Sequence, residues 1–166
     1  MELKAATESD FQEIMRLINQ AKAHLKKLNI DQWQDGYPNE DIIKKDINAK
    51  NAYVLTDKEK VIGYVCIAFG EDETYATIEG QWKSDQPYAV IHRMAIDDAF
   101  KGQGLSAHMF AFAEKLCKIK DIHSIKVDTH EKNLVMRHLI TKNGYEYCGI
   151  VRFRNCERIA FEKLLV

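Results

Sequence analysis

Residues 95–116 read AIDDAFKGQGLSAHMFAFAEKL, and the centre of that stretch, Lys101-Gly102-Gln103-Gly104-Leu105-Ser106, decides the reading. The chain has only 8 glycines, yet two stand one residue apart where an apolar run gives way to helical spacing. From Leu105 the apolar positions Leu105, Met109, Phe112 and Leu116 recur at the period of an amphipathic helix, which ends in the basic Lys118-Ile119-Lys120 that suits a helix C-terminus. A helix N-terminus carries free backbone N–H groups and a partial positive charge, so it attracts an anion without a special side chain. Glycine lets such a loop approach an anion closely and take turn angles closed to other residues. A tight strand-to-helix connection alone would also explain both glycines.

The same stretch satisfies G-x-G-x-x-A, with Asp128 about 20 residues on, and so imitates a dinucleotide fingerprint. Its context argues against that reading. Asp97 to Lys101 separate the strand from the first glycine, and only 62 residues follow Gly104, too few for a doubly wound sheet.

Upstream, Leu3–Ala6 is a short apolar start. Thr7 with Asp10 forms a capping signal before Phe11, Ile14, Met15, Ile18, Ala21, Leu25 and Leu28 at helical spacing. Residues 29–40 are a loop that carries Trp33 and Tyr37, and residues 40–47 a second short helix. The period then changes. AYVLTD (52–57) and KVIGYVCIAF (60–69) predict a hairpin, TYATIE (74–79) and YAVIHRMAI (88–96) two further strands, and SIKVDT (124–129) a buried strand. Residues 131–144 predict a helix stopped at Gly144, and YEYCGIVRF (145–153) with ERIAFEK (157–163) a closing hairpin. The order β-α-α-β-β-β-β-α-β-α-β-β is α+β in class, and 166 residues suit one domain, residues 1–166.

Composition narrows the function. Apolar residues are 46% of the chain, charged residues 30%, and the net charge is -1 with both signs interspersed, so neither nucleic acid nor a membrane surface is an expected partner. Cys66, Cys117, Cys148 and Cys156 share no C-x-x-C spacing, three sit in apolar surroundings, and no leader segment is evident, which together predict a cytoplasmic protein without a metal.

A strand, a five-residue approach, a Gly-x-Gly turn and an amphipathic helix in this order resemble the GNAT superfamily of N-acetyltransferases. The family's Arg/Gln-x-x-Gly-x-Gly/Ala is matched by Lys101-x-x-Gly104-x-Ser106, where Lys keeps a cation and Ser is small. Asn133, Gly144 and Tyr145 are similar to the family's later Asn-x-x-Ala … Gly-Phe motif, with Met136 in place of Ala. The resemblance runs from Leu3 to Lys163. It implies a central mixed, mainly antiparallel sheet with helices on both faces and one splayed strand pair, VIHRMAI against SIKVDT. It also implies acetyl-coenzyme A as cosubstrate, bound by the backbone of Met94 and Ile96, by the amides of Lys101, Gly102, Gln103, Gly104, Leu105 and Ser106, and by Asn133, which could equally serve as a helix cap.

Acetyl transfer needs a neutral amine, and deprotonating a lysine-like amine at pH 7 costs about 4–5 kcal/mol. Glu79, at a strand end, and His92, at alternating spacing with Met94 and Ile96, are the candidate bases, with His130 at the exit of an apolar strand third; a solvated turn acid, a satisfied strand histidine and a loop residue are their ordinary alternatives. The family often places a thiolate-protonating tyrosine where this chain has Ile140. Trp33, Tyr37 and Trp82 are candidate acceptor contacts, through which a small-molecule or peptide amine would be cradled, although Trp33 and Tyr37 could instead pin a long loop. The expected activity is N-acetylation of a primary amine by direct attack on the thioester. A non-catalytic coenzyme A-binding module and an interaction protein that binds nothing at the turn are the alternatives. The closing hairpin offers an edge through which a homodimer could form.

Overall fold

The computed structural model describes all residues from Met1 to Val166. Strands are β1 (Glu2–Ala5), β2 (Ala52–Asp57), β3 (Lys60–Phe69), β4 (Glu79–Gly80), β5 (Ala89–Ile96), β6 (Ser124–Thr129), β7 (Glu146–Phe153) and β8 (Cys156–Leu164). Helices are α1 (Phe11–Lys27), α2 (Glu40–Asn48), α3 (Leu105–Ile119) and α4 (Leu134–Lys142). The strands follow the order β1-β2-β3-β5-β6-β8-β7-β4 in a mixed sheet. β5 and β6 are parallel, while the pairs β1–β2, β2–β3, β6–β8, β7–β8 and β4–β7 are antiparallel. The mixed α+β class read from the sequence is the class observed. The chain divides into two compact units, Met1–Ile67 with Arg93–Met109, and Ala68–His92 with Phe110–Val166.

In the first unit, α1 buries Ile14, Leu17 and Ile18 against Ile43 of α2 and Val54, Tyr64 and Cys66 of the sheet. The apolar stripe is the predicted one, with Leu17 added and Leu28 left half exposed, because Leu28 lies past the last helical turn. The Thr7 amide donates to the Asp10 carboxylate at 2.9 Å, so the capping signal is used, though for a single 3-10 turn (Glu8–Asp10) from which α1 continues. In β5, Arg93 takes a left-handed backbone (φ 50°), which interrupts the two-residue alternation there. Sequence spacing therefore does not by itself put His92, Met94 and Ile96 on one face.

In the second unit, β7 and β8 form a hairpin whose turn residues Arg154 and Asn155 both have positive φ (53° and 63°), as a tight two-residue hairpin turn requires. Gly149 is left-handed too (φ 149°), and a Cβ there would stand 2.1 Å from the Glu79 carbonyl oxygen, so only glycine permits β4 to pair with β7.

The predicted strand at 74–79 is corrected. Glu73–Tyr75 is a 3-10 turn capped by Asp72, whose carboxylate accepts from the Thr74 amide at 2.9 Å, and only Glu79–Gly80 is extended. The alternation T-Y-A-T-I-E imitates a strand, but burying the Tyr75 ring with Val90, Val151 and Ala160 won over local β preference. β6 pairs with β5 only from Ala89↔Ile125 to Ile91↔Val127, although β6 runs on to Thr129.

Candidate active site

The glycine turn lies in the first unit and is anchored before it begins. The Asp97 amide donates to the Ile62 carbonyl at 2.8 Å, and its buried carboxylate accepts from the Ala99 amide at 3.0 Å and from Arg16 Nη1 at 2.9 Å. Burial opposes the charge on Asp97, but these donors outweigh it and its pKa falls. Arg16 also donates to the Val61 carbonyl at 3.2 Å, tying α1 to the approach of the turn. Neither residue stands out in the sequence. An acid next to the apolar strand was the only signal.

Past Asp97, Gly102 and Gly104 both have positive φ (79° and 73°), and a Cβ on either would meet nothing within 4 Å. Their role is conformational, and the space beside them is open. The amides of Gly102, Gln103, Gly104, Leu105 and Ser106 make no hydrogen bond within the protein, and the first amide to be satisfied is that of Ala107, which donates to Gly104 at 3.2 Å. Five consecutive unsatisfied amides at the head of a 15-residue helix are donors suited to an anion, and the helix dipole adds to that. Lys101 adds less charge than its sequence position suggests, because its Nζ pairs with Asp98 at 2.7 Å.

The same unit holds a buried polar network that sequence reading missed. Arg93, mostly buried, donates from Nε to Asp46 Oδ2 at 2.8 Å and from Nη2 to Asp46 Oδ1 at 2.6 Å. Tyr64 donates its hydroxyl to the same carboxylate at 2.6 Å, and Arg93 also donates to the Tyr37 hydroxyl oxygen. Burial pushes the nearby Cys66 thiol up to about 12, which makes it inert. Tyr37 is thus held through Arg93, and Trp33 packs against the core of this unit. Met94 and Ile96 follow Arg93 on β5 and are only partly buried.

In the second unit, His92 Nε2 lies 3.2 Å from Asp72 Oδ2, and both side chains are about three-quarters buried. The His92 hydrogen bond does most to hold the Asp72 carboxyl below its ordinary range. The Asp72 amide donates to the Tyr88 hydroxyl oxygen at 2.9 Å, which fixes the loop. Beside this pair, Tyr75 donates to Asp128 at 2.6 Å, and burial raises the pKa of Asp128 against the lowering effects of Tyr75, His92 and Arg158. Trp82 is committed elsewhere. Its Nε1–H donates to the Tyr75 carbonyl at 3.0 Å, and the Lys126 ammonium sits 4.2 Å from its ring centroid and 3.8 Å from that of Tyr88. Glu79 is exposed and pairs with Arg152 at 2.9 Å. Asn133 caps α4, accepting from the Met136 amide at 3.2 Å, and Ile140 is fully buried.

The model of the acetyltransferase (GNAT) family matches residues 12–145, and the chain belongs to that family. An acetyltransferase of the family from Streptococcus agalactiae is 36% identical and superposes with a TM-score of 0.89 over 99% of this chain and 95% of its own. YesJ of Bacillus subtilis, an uncharacterized N-acetyltransferase, is 23% identical over 146 residues, 87% of this chain and 81% of that protein. The S-alkylcysteine N-acetyltransferase of Bacillus subtilis is 25% identical over 115 residues, 68% of this chain and 58% of that protein. The chain is an N-acetyltransferase. No helix is long and apolar enough to cross a membrane.

Proposed function

We propose that the chain, acting as one domain, moves the acetyl group of acetyl-coenzyme A to a primary amine by direct attack of the amine on the thioester. The observation that carries the cofactor half is the run of five unsatisfied amides from Gly102 to Ser106 beside open space. An anion of pyrophosphate size suits that donor set, and Lys101, Gly102, Gln103, Gly104, Leu105 and Ser106 would hold it. The backbone of Met94 and Ile96 would take the pantetheine arm, with Asn133 as a further polar contact. Bound acetyl-coenzyme A supplies an activated acyl carbon, and the Met94 amide is the donor suited to its carbonyl oxygen.

His92 is the base the geometry favours. With Nε2–H donated to Asp72, the lone pair stays on Nδ1, which can take the amine's proton. Glu79 comes second because its carboxylate is engaged by Arg152 in the solvent. The buried isoleucine at 140 leaves the thiolate unprotonated on departure, at a cost of roughly 2 kcal/mol at pH 7, against about 4–5 kcal/mol for stripping the amine. Proton removal from the acceptor therefore matters more than protonation of the leaving group. The acceptor is a small-molecule or peptide amine, and the protein is cytoplasmic.

The test is a thermal-shift titration with acetyl-coenzyme A, wild type beside Gly104→Val. Ligand at 100 times its Kd should stabilise the wild type by about 2.7 kcal/mol. The shift should vanish in a folded Gly104→Val protein. An unshifted wild type would end this reading. Release of free thiol in the presence of an amine panel then checks the transfer itself.

A further inference from the structure

Strand register places charged residues together on one face of the second unit. Paired residues of neighbouring strands project to the same side of a sheet, and so do residues two apart along one strand. Val90 is paired with Lys126, Lys126 with Glu162, and Asp128 with Ala160, so Asp128 and Arg158 share the face of Val90 and Ala160. The core confirms the assignment, because Val90, Ala160 and Tyr75 pack in one cluster. His92, two residues after Val90, carries its side chain near enough to Asp128 for its charge to act on that carboxyl.

Most charges here have partners. Glu162, fully buried, accepts from the Lys83 amide at 2.7 Å and from the Ser84 and Ser124 hydroxyls at 2.8 and 2.6 Å. The Lys126 ammonium lies between two aromatic rings. Arg158 is the exception: its charge reaches the Asp128 carboxyl, but no carboxylate is in contact with it. It is 8% exposed, yet its guanidinium makes one hydrogen bond, from Nη1 to the neighbouring Glu157 carbonyl at 3.1 Å. It forms no ion pair, and Nε and Nη2 donate to nothing within the protein. The fully enclosed polar atoms without a partner are Thr129 Oγ1 and Tyr145 Oη, so these nitrogens are not sealed from solvent. A nearly buried cation with two idle donors costs stability unless an anion arrives from outside. Asp128 stands on the cross-strand diagonal, roughly 7–8 Å from Arg158 between backbone positions.

Resting on the acetyltransfer reading above, the geometry points to Arg158 as the receptor of an acceptor carboxylate, so that the substrate class is an amino acid whose amine lies towards Asp128 and His92. Arg158 offers the planar fork that a carboxylate matches, and Asp128 and Asp72 face the ammonium end before the proton leaves. Arg158 is then a specificity residue with no part in the chemical step.

The experiment pairs each amino acid with the amine that lacks its carboxylate, phenylalanine against phenethylamine and methionine against 3-(methylthio)propylamine, with acetyl-coenzyme A. The wild type should favour the amino acid in kcat/KM by about tenfold or more. Arg158→Met should raise KM for the amino acid by about 10–100-fold while leaving kinetics with the plain amine and KM for acetyl-coenzyme A unchanged. Should Arg158→Met fail to fold, Arg158→Lys keeps the charge and loses the fork, and should still cost about tenfold in KM. Equal use of both members of each pair, or an unchanged amino acid KM in the variants, overturns the inference. Calorimetric titration of amino acid into the coenzyme A complex separates the two failures. Arg158-dependent binding without turnover would refute the acetyltransfer reading and leave Arg158 as a carboxylate receptor only, whereas turnover of plain amines alone would keep acetyl transfer and refute the role of Arg158.

Discussion

Asp46 holds together the buried network of the first unit, and Asp46→Asn should show how much. The carboxylate accepts three hydrogen bonds, two from Arg93 at 2.8 and 2.6 Å and one from Tyr64 at 2.6 Å. Side-chain exposure is only 12% for Arg93 and 7% for Asp46, so water cannot replace the lost acceptor. An amide of the same shape keeps one acceptor oxygen, turns a second one into a donor facing donors, and removes the countercharge. Breaking a buried pair by taking away one partner costs about 3–5 kcal/mol. For a chain of this size that corresponds to about 6–20 °C in Tm, since each kcal/mol moves a 150–250-residue protein by about 2–4 °C. Differential scanning calorimetry on wild type, Asp46→Asn, Tyr64→Phe and Arg93→Met measures it. Tyr64→Phe should cost about 1–2 kcal/mol, because only one donor is lost and no charge is orphaned. With Asp46→Leu measured as the matching single, the double variant Asp46→Leu/Arg93→Met should be far less destabilised than the sum of its singles, as expected when both members of a buried pair leave together. A Tm for Asp46→Asn within 2 °C of wild type, or additive singles, would refute the claim that burial makes this pair obligatory.

Tyr145 buries a hydroxyl with no partner, so Tyr145→Phe should match or exceed wild-type stability in urea melts; a loss of more than about 1 kcal/mol would reveal a bond the hydroxyl makes. Asp128 has its pKa raised on folding, chiefly by burial, so its contribution to stability is full below the unfolded-state pKa and is lost as pH rises through the folded one. Asp128→Asn should therefore be at least as stable as wild type at pH 7–8 and lose that advantage towards pH 4, read from Tm across pH. Asp72→Asn should lower kcat/KM by about tenfold or more, chiefly in kcat, by releasing the His92 tautomer, and a pH–rate profile displaced from that of wild type would separate this from simple misfolding.

How much of this was legible beforehand depended on whether local pattern or distant contact set each residue. β3 (Lys60–Phe69) and β6 (Ser124–Thr129) coincide with the predicted runs because β-branched, buried segments leave little choice. The glycine turn was legible for the same reason, since two glycines one apart before a helix have few uses. The 74–79 segment was misread because its alternation carried no trace of the Asp72 cap or of Asp128, which lies 53 residues from Tyr75. Arg93 and Arg158 look like ordinary strand cations in the sequence. What distinguishes them is partnership, full for one and partial for the other, and partnership across strands is decided by register that no local run of residues encodes.

On the reading proposed above, a protein that acetylates amines must also live with its own. Lysine is an acetyl acceptor once it sheds its proton, and burial makes Lys126 shed it more easily than an ordinary lysine. It would be a ready target for self-acetylation if its Nζ were reachable. The residue is 3% exposed, with indole and phenol faces on its ammonium, so the aromatic seat built from Trp82 and Tyr88 works as a shield. The fold keeps from the reaction a lysine that burial has prepared for it.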